Sequence, residues 1–336
     1  MKKYSRGLQV TATIVTMTVI ILDSRTAQQG AKEGISLCLQ SVIPSLFPFI
    51  FLSLMLTSRM YGQQISFLKP VGTLCAIPSG AESLLLIAFL GGYPVGAQAV
   101  HNAWLAGSLD TNTAKRLLGF CSNAGPSFIF GLLAGVFANK AAPLCLWLVH
   151  IASAVTVGAI LPSEQVFANR IKHTAPVSAT TALQRSVQIM GAVCGWIVIV
   201  RIVLTYITKY LLYAASPMVS VVIGGCLELT NGCISLPMVS DEPTRFIIAS
   251  FILALGGLCV YLQTRAVTGE LGTGIYFRGK ILQALISVLY AAIMLPLLYP
   301  VKLFSWIVLS LGLLTLFIIP ILKVKKSCSN LIKAVV

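Results

Sequence analysis

The chain has 336 residues, of which 57% are hydrophobic and only 10% are charged, with a mean hydropathy of +0.91. Soluble domains usually carry about 25% charged residues, so this composition excludes a soluble globular protein and indicates a polytopic membrane protein. The net charge of +15 is spread over short loops and the C-terminus. That distribution is typical of topology signals in membrane proteins and does not indicate a nucleic-acid-binding surface.

Ten hydrophobic segments predict an all-α polytopic membrane protein. A membrane-spanning helix needs about 20 apolar residues. The candidate segments are residues 8–22, 37–57, 83–100, 117–137, 141–161, 188–213, 219–236, 246–262, 281–299 and 304–322. Two of these segments differ from the rest, because each carries glycine and polar residues at its centre.

The first interrupted segment is Leu84–Val100, in which Gly91-Gly92-Tyr93-Pro94 breaks an otherwise apolar run. The second is residues 219–236, which contain GGCLELTNG at 224–232. In hydrocarbon every backbone N–H and C=O group needs a partner, so broken helices occur only where they are buried in protein or line a cavity. We therefore predict that both segments are re-entrant hairpins and that the other eight segments span the membrane.

The distribution of lysine and arginine supports this arrangement. With the N-terminus inside and both hairpins returning to the side they came from, 17 basic residues lie inside and six outside, while Arg201 lies within a span. Arg265, Arg278 and Lys280 count among the cytoplasmic charges in this scheme. The imbalance agrees with the positive-inside rule and predicts that both termini are cytoplasmic.

The same scheme predicts an inverted repeat, because the two hairpins enter from opposite sides. Each hairpin follows a full span and precedes a span that opens with an arginine, Arg116 or Arg245. Inverted-topology repeats are common in secondary transporters. The predicted regions are an N-terminal span and loop (1–36), a first repeat (37–161), a cytoplasmic linker (162–187), a second repeat (188–300), and a last span with a basic tail (301–336).

Glu228 is the most informative single residue. An acidic side chain inside an apolar segment is costly and marks a functional site or a paired charge, unless it lies at the membrane surface. Arg201, in the middle of an apolar run, is its natural countercharge; it either pairs with Glu228 or holds an anionic group of a substrate. Glu82, by contrast, is expected to be a helix-start acid that faces water.

A second polar group lies in the segment 117–137, where Pro126 is expected to open the helix near Ser122 and leave carbonyl groups for a ligand or for neighbouring side chains. The alternative is a kink that serves only helix packing. The full set of predicted substrate- or ion-binding residues is Glu228, Asn231, Thr230, Asn123, Arg201, Gly92, Tyr93, Ser122 and Ser127. The scattered cysteines and histidines form no ligand-spaced cluster and no nucleophile motif is visible, so we expect no metal, no cofactor and no enzyme activity.

Five motifs stand out along the chain: VIPSLFPF (42–49), FLGGYPVGA (89–97), LLGFCSNAGPSFIFG (117–131), CGWIVIVR (194–201) and LELTNG (227–232). Together they resemble the YlbJ-type sporulation integral membrane proteins of the nucleoside-recognition, or Gate-domain, group. The resemblance implies a multi-pass protein of the bacterial cytoplasmic membrane with a transporter-like core and an association with the spore cortex. Its likeness to nucleoside carriers implies that the two hairpins contact the substrate.

Two functions follow as hypotheses. The first is a carrier of a small polar solute, for which a nucleoside-like compound is one candidate, coupled to a proton or a sodium ion. The second is a non-transporting membrane partner that assembles a sporulation complex. The expected partners are the lipid bilayer, the solute, and either further copies of the chain or other sporulation membrane proteins, but not nucleic acid.

Overall fold

The structure is a computed structural model that describes residues 2–60, 63–163 and 177–299. Over these residues all regular secondary structure is helical, with no β-strand, which confirms the predicted all-α class. The helices are α1 (Lys2–Leu22), α2 (Ser24–Leu37), α3 (Ile43–Met60), α4 (Lys69–Leu74), α5 (Glu82–Leu90), α6 (Val95–Leu105), α7 (Thr111–Leu118), α8 (Pro126–Leu132), α9 (Ala142–Ile160), α10 (Ala179–Tyr210), α11 (Pro217–Leu227), α12 (Leu229–Ser235), α13 (Glu242–Leu255), α14 (Gly257–Thr268) and α15 (Gly274–Leu298).

Five helical segments of the described chain are long and apolar enough to cross a membrane. They are Ser24–Met60, Ala142–Ile160, Ala179–Tyr210, Glu242–Leu271 and Gly274–Leu298. The first consists of α2 and α3 joined by a π-helical turn, Cys38–Val42. These spans confirm a polytopic membrane protein. The predicted segment 304–322 lies outside the described residues.

Both predicted hairpins are present. Hairpin 1 consists of α5 and α6, and hairpin 2 of α11 and α12. In hairpin 2 a methyl group added to Gly232 would clash with the backbone of Gly225, seven residues earlier. In hairpin 1 the same addition to Gly96 would lie 3.3 Å from the Cα of Ala88. A straight helix separates residues seven or eight apart by about 10 Å or more, so each pair of helices folds back on itself.

Two of the predicted spans are broken. An opening near Ser122 was expected in the segment 117–137, but the segment 246–262 was predicted to be unbroken, and that prediction was wrong. The segment 117–137 ends as a helix at Leu118, continues without helical structure to Gly125 and restarts at Pro126. The segment 246–262 is broken at Gly256 and Gly257, each with φ of +76°. Left-handed φ values interrupt a right-handed helix and are accessible to glycine without a steric penalty. Each half of the chain therefore has a second break beyond its hairpin.

The predicted boundaries also shift. Residues 24–36 were assigned to an N-terminal loop but form α2, which packs along α10. Helix α10 begins at Ala179, inside the predicted linker 162–187. The linker residues Arg170 and Lys172 and the basic tail lie outside the described residues.

The order of helices occurs twice along the chain. Apart from the short helix α4, which lies before hairpin 1 in the first half, a long helix (α2–α3 or α10) is followed by a hairpin, by a broken helix (α7–α8 or α13–α14) and by a second long helix (α9 or α15). Each broken helix has an aspartate cap, Asp110 or Asp241, whose carboxylate accepts hydrogen bonds from N–H groups in the first turn. As a result, each half of the chain supplies one hairpin and one broken helix to the site described below.

The arginines Arg116 and Arg245 serve the same purpose in the two broken helices. Arg116 is buried and donates to the carbonyls of Cys75 and Gly158, at 2.5 and 2.6 Å. Arg245 donates to the carbonyls of Val239 and Val136, both at 2.7 Å. Each guanidinium donates to carbonyl groups at helix ends and in the adjoining loops, where these groups have no partner within a helix.

Candidate functional site

The tips of the two hairpins face each other across a cleft. The cleft contains a cavity of about 30 Å³. Its walls come from hairpin 1, the break between α7 and α8, hairpin 2, α14, α3 and α10. The lining residues are Val42, Leu46, Gly92, Tyr93, Ala124, Gly125, Phe128, Val193, Ile197, Glu228, Leu229, Thr230, Val260 and Gln263. Both hairpins therefore contribute to one cleft.

Glu228 forms the tip of hairpin 2. Its backbone is extended, with φ −145° and ψ 118°, which ends α11 and allows α12 to start in a new direction. Its carboxylate accepts hydrogen bonds from the N–H groups of Thr230 and Asn231, at 2.9 and 2.5 Å. Only 3% of the residue is exposed. A carboxylate has about four acceptor positions, so capacity remains for a donor in the cleft.

Gly92 and Tyr93 form the tip of hairpin 1. Gly92 has φ of +74° and lies against Gly125, at the break between α7 and α8, so closely that a side chain on either residue would be 3.1 to 3.3 Å from the other backbone. The Tyr93 hydroxyl donates to the carbonyl of Leu253, at 3.1 Å, near the break at Gly256. Hairpin 1 therefore contacts the breaks of both broken helices.

A lysine that the sequence analysis assigned to a cytoplasmic loop lies beside this tip. Lys280, on α15, is 2% exposed, and its ammonium donates to the Tyr93 hydroxyl at 2.9 Å. It also donates to the side-chain oxygens of Gln283 at 2.7 Å and Asn123 at 3.5 Å. The position is buried in the protein, which corrects the count of Lys280 as a solvent-exposed loop charge.

Asn123 connects this lysine to the other polar side chains around the unwound segment between α7 and α8. Its side-chain oxygen accepts from the Gln283 amide at 3.0 Å, and its own amide donates to the carbonyl of Phe120 at 2.8 Å. The next N–H in the chain, of Ala124, donates to His150 Nε2 at 3.0 Å. The unwound segment between α7 and α8 is thus held by side chains from α9 and α15.

Most of the predicted site residues lie in or beside the cleft, but not all of them line it. Glu228, Thr230, Gly92 and Tyr93 line the cleft, and Asn231 and Asn123 are buried directly beside it. Ser122 is fully buried in the unwound segment. Ser127 is half-buried in the first turn of α8 and does not line the cleft.

The predicted pairing of Arg201 with Glu228 was wrong. Arg201 forms an ion pair with Glu33 of α2, with Nη2 and Nε at 2.6 and 2.9 Å from one carboxylate oxygen. Glu33 satisfies the arginine because residues 24–37 form a helix along α10. Glu82 begins α5, as expected. The expectation that it faces water was wrong, since this side chain is buried and accepts a hydrogen bond from the N–H of Gly80 at 2.8 Å.

Sequence reasoning missed a polar stripe on α15. The stripe consists of Tyr276, Lys280, Gln283, Ser287 and Tyr290, all buried. These residues recur every three or four positions and so share one helix face. A search of the apolar segment for polar residues at helical spacing would have found it.

The chain is similar to the sporulation integral membrane protein YlbJ of Bacillus subtilis, with 25% identity over 338 aligned positions that cover 85% of this chain and 81% of that protein. No family model and no solved structure matches the chain. The similarity extends through both hairpins and both broken helices. It confirms the likeness to the YlbJ-type sporulation integral membrane proteins that the motifs indicated, whereas membership of the Gate-domain group stays a prediction.

Proposed function

We propose that the protein is a carrier of a small polar solute that works by alternating access and acts in sporulation, as the name of its Bacillus subtilis relative indicates. The observation that carries the proposal is the cleft shared by the tips of both hairpins. Broken helices at a common site are the usual way in which transporters place backbone and side-chain polar groups around a substrate.

The polar groups at the cleft favour a solute with hydrogen-bond donors. Glu228 supplies a carboxylate with free acceptor positions, and Thr230, Tyr93 and Gln263 supply neutral polar groups. The remaining walls are apolar side chains from α3, α8, α10 and α14. An apolar site with a few placed polar groups is typical of small-molecule binding, and nucleoside-like compounds combine both features.

The narrowness of the cleft fits a closed state of a carrier. A water molecule needs about 10–15 Å³ of such space, so a cavity of about 30 Å³ holds two or three waters and no larger solute in this structure. A larger solute requires the hairpins to move apart. Because the hairpins belong to different halves of the chain, such a movement would open the cleft as alternating access requires.

Uptake by reconstituted protein tests this function. Purified protein in proteoliposomes is presented with labelled uridine, adenosine, nucleobases, amino acids and dicarboxylates, each with and without a pH gradient. We expect uptake of at least one compound, with a loss of tenfold or more in Glu228→Gln and Asn231→Ala. The matched control is Gly195→Ala, since nothing lies within 4 Å of a methyl group added at Gly195 on α10.

A sporulation assay separates the carrier from a membrane assembly partner. The chain and its variants are expressed in a Bacillus subtilis strain that lacks YlbJ, and heat-resistant spores are counted. The carrier function is wrong, and an assembly role remains, if three results occur together. They are that the chain restores spores, that no compound is taken up, and that Glu228→Gln restores spores to the level of the unchanged chain.

A further inference from the structure

The ammonium of Lys280 lies in a pocket made of neutral oxygen atoms. Its three acceptors are the Gln283 amide oxygen, the Tyr93 hydroxyl and the Asn123 amide oxygen, at 2.7, 2.9 and 3.5 Å. The Tyr93 ring adds a cation–π contact, with its centre 5.0 Å from the nitrogen. Each acceptor carries a partial negative charge directed at the cation, but none carries a full charge.

No carboxylate balances this lysine in the part of the chain that the structure describes. The three ion pairs there are Arg201–Glu33, Lys209–Asp23 and Arg245–Glu242. The titratable groups around Lys280 are Tyr93 from hairpin 1, Cys121 from the unwound segment, His150 from α9 and Tyr276 from α15 itself. A buried cation without a countercharge is costly and, within a membrane, usually marks a function.

The position of the oxygens is that of an ion site. Tyr93 and Asn123 lie in the breaks of hairpin 1 and of α7–α8. Gln283 lies on α15, which packs against α7 and α9 from the first half of the chain and α13 from the second. Cation-coupled carriers bind their ions at such interrupted helices, through neutral backbone and side-chain oxygens. In this chain the nitrogen of Lys280 occupies the centre of the oxygens.

We propose that Lys280 is a tethered cation: its ammonium fills a monovalent-cation site, so that the protein works without free Na⁺ or K⁺. The inference refines the coupling ion of the proposed carrier and rests on that function. It also explains how a lysine without a carboxylate is retained beside the substrate cleft, since Tyr93 contacts the ammonium on one side and lines the cleft on the other. A solute in the cleft would therefore interact with the ammonium through Tyr93.

Thermal unfolding tests the inference without any need for transport, so a failure of the carrier function and a failure of this inference give different results. Unfolding of the purified full chain is followed in NaCl, KCl and choline chloride at equal ionic strength, because choline is too large for the site. We expect equal melting temperatures for the unchanged protein in all three salts. Lys280→Ala removes the ammonium and leaves room, and we expect Na⁺ or K⁺ to raise its melting temperature by about 3 °C or more over choline.

Lys280→Met is the matched control, because it removes the charge but fills the same space. We expect no difference among the salts for this variant or for Lys280→Ala combined with Asn123→Ala, which removes one oxygen of the site. A specific effect of Na⁺ or K⁺ on the unchanged protein would overturn the inference, even if Lys280→Ala cannot be purified. Equal melting temperatures of a folded Lys280→Ala in all three salts would overturn it as well.

Discussion

Glu228 has two roles at one position, since its carboxylate both caps α12 and lines the cleft. The cap is structural: without it, the N–H groups of Thr230 and Asn231 lose their acceptors in a buried place. The face toward the cleft is available for a solute. The two roles can be separated because glutamine keeps an acceptor oxygen and alanine keeps none.

We predict that Glu228→Ala destabilises the protein by about 1–2 kcal/mol, as expected for loss of a helix cap. Glu228→Gln is expected to cost less than half of that, because its amide oxygen still accepts one of the two hydrogen bonds. Denaturation of both variants in detergent, followed by circular dichroism, gives the comparison. Equal stability of the alanine and glutamine variants would show that the cap contributes nothing.

The sequence identified Glu228 but not its surroundings, and the reason is physical. A lone acid in an apolar segment is recognised from composition, whereas its partners depend on which helices pack together. Arg201 was paired with Glu228 because Glu33 lies in a stretch that has the polarity of a loop and yet forms α2. Lys280 was missed because α15 begins at Gly274, seven residues before the start of the apolar segment 281–299 from which this helix was predicted.

At the scale of the helices, close glycine contacts hold the broken elements in place. Gly279 of α15 lies against the backbone of Gly119, where α7 ends, and a methyl group added to Gly279 would overlap the Gly119 carbonyl. Glycine at such a contact lets two backbones approach, as is common between membrane helices. The contact keeps α15, and with it Lys280, against the unwound segment that carries Asn123.

We predict that Gly279→Ala destabilises the protein by about 1–3 kcal/mol, the usual range for inserting a methyl group into a filled space. The matched control is Gly195→Ala, also within a long helix but with nothing near the added methyl group, where alanine is expected to be neutral or slightly stabilising. Melting temperatures of both variants give the test. A Gly279→Ala protein as stable as the control would mean that α15 and α7 can separate at no cost.

The breaks in the helices were only partly predictable. Both hairpins were found because glycine, proline and polar residues cluster at their tips. The break at residues 119–125 was foreseen as an opening of the helix near Ser122, before Pro126. The break at Gly256 was not found, because the segment around it is apolar enough to be a span. At Gly256 the interruption depends on two adjacent glycines with positive φ, and the sequence alone does not distinguish such a pair from glycines that remain helical.

For the molecule as a whole, the repeated order of helices joins the separate features. In each half an aspartate caps the broken helix and an arginine shortly after it binds loose carbonyl groups, as Asp110 and Arg116 do in the first half and Asp241 and Arg245 in the second. The cleft lies between the halves, so both halves contribute to it. An inverted repeat would place the loops before α7 and α13 on opposite sides of the membrane.

Cysteine labelling tests this inversion. Asn112, in the first turn of α7, and Ser240, just before α13, are both exposed. The topology predicted from the basic residues has the first position inside and the second outside. We therefore predict that a membrane-impermeant maleimide labels Ser240→Cys in intact cells but labels Asn112→Cys only after the cell membrane has been permeabilised. The unchanged chain, whose described cysteines are buried or half-buried, gives the background.

Labelling of both variants from the same side would exclude an inverted repeat, because the two broken helices would then enter the membrane in the same direction. In that case the hairpins could not open the cleft alternately to the two faces of the membrane.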